Sequence, residues 1–240
     1  MGGIQQRGEL VVGVKYDAPP FGYLNPATNQ VEGFDADLGR ELVRALFGNT
    51  SQVRFVEAIS RNRIPFLQDD RVDVVLSTLT ITDERKQEID FSEPYYLAGQ
   101  SILVPEGSPV HGVNDLNGRA VASLQGSTSE RTLRRRAPDA RLVLFPTAAT
   151  ALAALQDHRA DAVSTDDTIL MGMIGRNPTL HLVGSRYTEE PYGAGIKKGR
   201  PEFVAFVNQV FDQLKTGGRW AELYKQHVAP LSGIVAEPPL

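Results

Sequence analysis

The sequence predicts an α/β protein of two lobes, each a parallel-type sheet with flanking helices. Short buried-strand patterns alternate with amphipathic helix patterns, the order that builds βαβ units. That rhythm occurs twice along the 240 residues. Two extended stretches, Tyr95–Val104 and Tyr187–Ile196, stand where the chain would pass between lobes.

Leu10–Val14 reads as a short buried strand. Gly33-Phe34-Asp35 opens a helix, with Asp35 expected at the N-cap. Phe34, Leu38, Leu42, Ala45 and Leu46 recur at helical spacing, and Gly48 stops the run. Val53–Val56 is a second strand, a short helix starts near Asn62, and Val72–Leu76 is a third strand. The second series runs Arg119–Ser123 (strand), Ser127–Arg136 (helix), Leu142–Phe145 (strand) and Thr147–Gln156 (helix). Ala162-Val163 then makes a short strand before a helix from Asp166 towards Ile174. Pro201 starts a long helix with the stripe Phe203, Val207, Val210, Phe211 and Leu214. Gly217-Gly218 ends it, and Trp220, Leu223 and Tyr224 mark one more helical stretch. Two crossings would return this C-terminal part to the first lobe.

Composition excludes several classes. Apolar residues at 41% and charged residues at 22% exclude a disordered, collagen-like or coiled-coil chain. A net charge of −4 gives no whole-molecule electrostatic case for nucleic acid. The absence of cysteine excludes disulfides, thiol nucleophiles and cysteine-based metal sites. No run approaches the ~18 apolar residues of a membrane span. Met1-Gly2-Gly3 opens no basic and apolar signal segment, which leaves a cytosolic chain or a trimmed exported one.

Familiar catalytic motifs are missing. There is no P-loop, H-E-x-x-H or G-x-S-x-G. Gly193–Gly199 misses the dinucleotide spacing by one residue, and the four histidines are scattered in polar contexts. Asn49-Thr50-Ser51 matches a glycosylation triplet common by chance, and Arg134-Arg135-Arg136 reads as a solvated helix face. No metal, cofactor or catalytic residue is expected.

Three segments have the chemistry of a zwitterion site. Ser77–Arg85 follows a strand and enters a helix with Thr82 as N-cap. Loops at the carboxyl ends of parallel strands are where α/β proteins bind ligands. There Thr78 and Thr80 can face one side and Arg85 can grip a carboxylate with two parallel bonds. The plainer reading pairs Arg85 with Asp83 or Glu84. In Gln125–Glu130, Ser127 and Glu130 fit a capping box, and the helix start also suits an anion. Asp166-Asp167 after a strand could take an ammonium or cap the next helix.

At these residues a family is recognisable. Ile81-Thr82-Asp83-Glu84-Arg85-Lys86, with Ile89-Asp90-Phe91-Ser92-Glu93-Pro94-Tyr95-Tyr96, resembles the extracellular solute-binding proteins of polar amino-acid ABC importers. The resemblance continues through Gly33–Leu38, Gly126-Ser127-Thr128, Ala160–Val163 and Tyr192-Gly193, over essentially the whole chain. It implies the two-lobed periplasmic-binding-protein fold (type II). Lobe 1 would comprise 1–95 and 193–240, lobe 2 100–188, and the hinge 96–99 and 189–192, with the ligand in the cleft. By position, Arg85 would clamp the ligand α-carboxylate, with Thr78 and Thr80 adding contacts. Ser127 and Thr128 would donate to the same carboxylate, and Asp166 would take the α-ammonium.

Ser60-Arg61-Asn62-Arg63-Ile64-Pro65 resembles the S-x-N-R-I-P pattern of the glutamate/aspartate branch, where the serine and second arginine reach the ligand side chain. Lys15 sits where that branch carries another cation. With Arg85 and Asp166 occupied by backbone groups, Lys15 and Arg63 would face a second carboxylate, which makes glutamate or aspartate the expected ligand. Glutamine or asparagine is the alternative. The plainer reading pairs Lys15 with Asp17 and leaves Arg63 on a helix surface. Ala18 stands near the position where many relatives cover the ligand with an aromatic, so Tyr16, Phe21 or Tyr192 would substitute.

The resulting expectation is a monomeric, non-enzymatic receptor handing an amino acid to ABC permease subunits, without nucleic acid or cofactor. It would work outside the cytoplasmic membrane, and many relatives are lipoproteins, so Met1 would replace a removed anchor. The rivals are a small-carboxylate enzyme such as a dehydratase on the same fold, and a sensory domain docked to a signalling partner. An enzyme would need a general acid or base aimed at substrate, and the only pocket carboxylate is assigned to the ammonium.

Overall fold

A computed structural model of the chain describes residues 2–175 and 177–232. The chain forms two compact units. One takes the segment up to Tyr16, Pro20–Leu97 and the chain from Pro191 on; the other takes Asp17–Pro19 and Ala98–Glu190.

The first unit has a five-stranded sheet in the order Val53–Glu57, Leu10–Val14, Val74–Val75, Gly195–Lys197, Ile89–Phe91. Leu10–Val14 is buried along its whole length. It pairs in parallel with Val53–Glu57 and with Val74–Val75. Gly195–Lys197 runs antiparallel to both its neighbours. The sheet is therefore mixed, which corrects the expected parallel type. Gly195–Lys197 enters from an extended segment with no crossover helix, so the parallel rule for βαβ units does not govern it.

Helix Phe34–Phe47 buries Phe34, Leu38, Leu42 and Val43 on the sheet side and stops at Gly48, whose φ of 78° is left-handed. The expected cap is corrected. Gly33, not Asp35, occupies the N-cap, with φ 120°. A Cβ on Gly33 would run into the Phe21 carbonyl oxygen, so only glycine fits. Asp35 is thereby moved into the first turn and fully buried. Helices Pro201–Thr216 and Arg219–His227 complete this unit, with Phe203, Val207, Val210, Phe211, Trp220 and Leu223 buried. Two cores result. Val11, Leu67, Val72, Val75, Leu79 and Ile89 form an aliphatic one. Phe21, Phe34, Tyr95, Tyr96, Tyr192 and Trp220 form an aromatic one.

Two parts of this unit escape the periodicity reading. Helix Gly2–Arg7 is only 6 residues long. The antiparallel pair Gly22–Asn25 and Gln30–Glu32 shows no clean alternation. It is tied instead by Glu32, which accepts from Tyr23 Oη (2.7 Å) and Asn25 Nδ2 (2.8 Å).

The second unit repeats the scheme. Its sheet runs Arg141–Phe145, Ala120–Leu124, Ala162–Asp166, Gln100–Pro105, Leu180–Val183. The first three strands are parallel, and Gln100–Pro105 runs antiparallel to both its neighbours. Alternation along Gln100–Pro105 feeds the two faces: Leu103 joins Leu124, Leu155, Val163 and Leu170, while Ile102 and Val104 join Val121, Leu133 and Ala162. Helices Thr128–Arg136, Ala148–Gln156 and Asp167–Ile174 cover those faces. Among the described residues no helix is long and apolar enough to cross a membrane.

Candidate functional site

Six of the nine expected site residues lie in the first unit: one run of hydrogen bonds links Lys15, Ser60, Arg63 and Thr78, and another bond links Thr80 and Arg85. Lys15, just past the Leu10–Val14 strand, is 3% exposed and donates to Ser60 Oγ (3.0 Å). The Asp17 carboxylate accepts from Ala149 N within the second unit (2.9 Å). Arg63 is equally buried, not a surface helix residue. Its Nε donates to the Ser60 carbonyl (3.3 Å), and its Nη1 to the carbonyls of Ser77 and Thr78, both at 2.8 Å.

Those carbonyls belong to the loop after Val74–Val75. Thr78 sits at φ 46°, a left-handed conformation that is uncommon for a β-branched residue. Backbone of this kind costs ~1–3 kcal/mol and persists only where neighbours hold it. Here the holders are Arg63 from one side and Asp35 from the other, whose Oδ2 accepts from Thr78 N (2.9 Å). Asp35 Oδ1 accepts from Tyr95 Oη (2.8 Å). Ser77 Oγ donates to the Ala58 carbonyl (2.7 Å). Two residues on, Thr80 offers its carbonyl to Arg85 Nη1 (2.8 Å). Arg85 lies in helix Asp83–Glu88, where Thr82 caps as expected, its Oγ1 accepting from Arg85 N at 3.2 Å.

Asp35 is the electrostatic centre of this network. Burial pushes its carboxyl up to about 6, against the Thr78 N–H, the Tyr95 hydroxyl and the nearby Lys15 and Arg63 charges, which favour the ionised form. Burial, and then the Asp35 charge, holds the Tyr95 hydroxyl well above its usual value. A carboxyl raised on folding binds more protons in the native than in the unfolded state between the two pKa values. Its contribution to stability is therefore present at low pH and falls as pH rises through about 6. Lowering the pH from 7 to 5 is expected to shift the stability difference between wild type and Asp35→Asn by ~1 kcal/mol in favour of wild type, at about 1.4 kcal/mol per pKa unit. Denaturant melts at the two pH values check this; a constant difference refutes it.

The other three residues lie in the second unit. Ser127 caps Thr128–Arg136: its Oγ accepts from Glu130 N (3.1 Å) and donates to the Leu124 carbonyl (2.6 Å). Glu130 accepts from Gly126 N (2.9 Å), one residue before the cap, a variant of the expected box. Thr128 Oγ1 donates to Glu190 Oε2 (2.8 Å). Glu190 also takes Gln100 Nε2 (2.7 Å) and Thr188 Oγ1 (2.9 Å). The acidic pair divides. Asp167 accepts from Thr168 N (2.9 Å) and Arg186 Nε (2.6 Å). Asp166, buried at the end of its strand, holds the N-cap position of Asp167–Ile174 without a side-chain capping bond. Burial raises the nearby Tyr187 hydroxyl to about 12; its hydrogen bond with Ser164 opposes this, and the charges of Asp166 and Glu190 add to it.

Reasoning from residue types missed Asp35, Tyr95 and Glu190. Asp35 and Tyr95 lie inside the two stretches that carry the family resemblance, so that signal marked their segments but not their contacts. Of the aromatics expected over the ligand, Phe21 and Tyr192 are fully buried and pack edge to face in the first unit's core, with centroids 5.7 Å apart. Among the described residues no group of three histidines or carboxylates could hold a metal ion.

The model of the bacterial extracellular solute-binding proteins, family 3, matches residues 10–230. The ABC transporter glutamine-binding protein GlnH of Bacillus subtilis is 39% identical over 226 residues, covering 94% of this chain and 83% of that protein. A glutamine-binding protein of Geobacillus stearothermophilus is 41% identical over 196 residues, covering 81% and 75%. The glutamate-binding protein GluB of Corynebacterium glutamicum is 28% identical over 244 residues, covering 97% and 82%. Among solved structures, a cysteine-binding protein from Campylobacter jejuni superposes with TM-score 0.93 at 26% identity, over 98% of this chain and 95% of that one. An ancestral amino acid-binding protein, a precursor of cyclohexadienyl dehydratase, superposes with TM-score 0.86 at 35% identity, over 94% and 97%. The chain has the two-lobed α/β periplasmic-binding-protein fold, and it belongs to the bacterial extracellular solute-binding proteins, family 3, the substrate-binding components of amino-acid ABC importers.

Proposed function

We propose that this receptor captures free glutamine, in preference to the glutamate or aspartate that the S-x-N-R-I-P resemblance favours. The observation that carries the choice is the identity to relatives with glutamine-binding names, 39% and 41%, against 28% for the glutamate-binding one. The acidic-ligand argument needs Lys15 and Arg63 as two cations looking for a carboxylate. Asp35 already supplies one negative charge to that pair from within the protein. Arg63 also spends Nε and Nη1 on main-chain carbonyls. Both features weaken the case for an acidic side chain, and the more similar relatives carry glutamine-binding names.

In this reading Arg85 grips the α-carboxylate through a two-pronged guanidinium contact. Thr78 and Thr80 add loop contacts, Ser127 and Thr128 donate to the carboxylate, and Asp166 takes the α-ammonium. Lys15 and Ser60 serve the ligand side chain, and Arg63 holds the loop that presents it. Engagement of one ligand by both units closes a hinge at 96–99 and 189–192. The bound amino acid is released unchanged to the permease subunits.

Calorimetric titration against the twenty amino acids tests the choice of ligand. Glutamine is expected to bind at least tenfold more tightly than glutamate; the opposite order overturns the reading. In the same samples, glutamine should lower the radius of gyration in solution scattering and be recovered intact. An unchanged radius counts against closure, and a reaction product counts against a receptor.

A further inference from the structure

We infer that Gln100 is a further ligand contact of the second unit, its amide oxygen taking one N–H of the α-ammonium beside Asp166, and that Glu190 is the positioning residue that fixes the orientation of that amide. The inference rests on the receptor reading above, in which Asp166 takes the α-ammonium, and deepens it by naming a second acceptor.

Gln100 opens its strand and stands directly opposite Asp166 in the antiparallel pairing. Directly opposed residues carry their side chains on one face of the sheet, with Cβ atoms ~5 Å apart. Gln100 Nε2 donates to Glu190 Oε1 (2.7 Å), and Thr128 Oγ1 donates to the other oxygen of that carboxylate (2.8 Å). Gln100 therefore adjoins Asp166 across the strands and Thr128 across one carboxylate. Those are the residues assigned to the ammonium and the carboxylate of the ligand.

The hydrogen bonds of the amide do not balance within the protein. Gln100 is 0% exposed and Glu190 3%. Glu190 Oε1 also accepts from Thr188 Oγ1 (2.9 Å). A flipped amide would set its oxygen against the Glu190 carboxylate, so the nitrogen faces Glu190. Among the described residues Gln100 Oε1, also buried, accepts no hydrogen bond. A buried acceptor without a donor is uncommon and unfavourable. An ammonium brings three N–H donors, more than a single carboxylate oxygen uses. An amide oxygen next to Asp166 gives it a second partner and adds no charge.

A purely structural role for Gln100 would be to support Glu190, and through it Thr128. That role predicts equal losses for ligands with and without an α-amino group. The ammonium contact predicts a loss confined to the ligand that has one.

The test is competition calorimetry on the full chain and on Gln100→Met, with glutamine and with 4-carbamoylbutanoate, which is glutamine without its α-amino group. The ratio of the two affinities is expected to fall at least fivefold in the variant. A ratio within twofold of wild type overturns the inference. Asp166→Asn, measured alongside, should lower the same ratio further. If it does and Gln100→Met does not, the inference fails and the Asp166 assignment stands; if neither does, both fail. A wild type that prefers glutamate sinks the choice of glutamine, and glutamate with glutarate then serves as the pair, read in the same way for Gln100. Should Gln100→Met not fold, Glu190→Gln takes its place. It removes the charge that orients the amide, and the ratio should again fall several-fold; a flat ratio overturns the inference.

Discussion

Arg85→Ala is expected to weaken amino-acid binding by about thirtyfold or more while the protein stays folded. The residue is 4% exposed and its guanidinium is held by the Thr80 carbonyl, so its geometry is set before a ligand arrives. Removing one partner of a buried, hydrogen-bonded charge pair costs ~2–5 kcal/mol, which is about thirty- to several-thousandfold in affinity. Arg85→Lys should recover only part of this, because an ammonium restores the charge but not the planar fork. The loss should be similar for glutamine and glutamate, since both carry the same α-carboxylate. Retained affinity in Arg85→Ala, with a melting curve like wild type, would remove Arg85 from the carboxylate role.

Much of the scaffold is legible in the sequence because its elements announce themselves by burial pattern. Leu10–Val14 is five apolar or small residues between polar ones, and Pro201–Thr216 carries its stripe at regular spacing. Thr82 and Ser127 are readable as caps because their partners lie three residues ahead, within the same segment. What local patterns cannot show is partner choice across long separations. Asp35 has the look of an N-cap, and the close approach of Phe21 to Gly33 puts the cap two residues earlier. The side chain then meets Thr78, 43 residues away, and Tyr95, 60 residues away. The antiparallel strands Gly195–Lys197 and Gln100–Pro105 arrive without crossover helices, so alternation of strands and helices says nothing about their direction.

Trp220→Ala is expected to be among the most destabilising single substitutions in the first unit, by ~3–5 kcal/mol, the usual range for a buried large aromatic. Trp220 is 1% exposed and lies beyond the Gly217-Gly218 break, near the end of the described chain. Its ring packs on Tyr224 (5.3 Å), Phe34 (5.6 Å) and Tyr96 (6.5 Å). Its Nε1 donates to the Tyr95 carbonyl at 2.8 Å. Truncation therefore opens a cavity and also leaves a buried carbonyl without its donor. The effect should reach the binding site, since Tyr95 is the residue whose hydroxyl holds Asp35. Glutamine affinity should fall with stability, although Trp220 touches none of the proposed ligand contacts. Trp220→Phe keeps most of the ring and loses only the N–H, so a cost of ~1–2 kcal/mol is expected, near that of one buried hydrogen bond. The chain has a single tryptophan, so the melts are followed by far-ultraviolet circular dichroism in place of fluorescence. If Trp220→Ala costs less than about 1 kcal/mol, the C-terminal helix is an appendage to the first unit. A large cost with weakened binding makes it a supporting wall of the site, in contact with helix Phe34–Phe47 that carries Asp35.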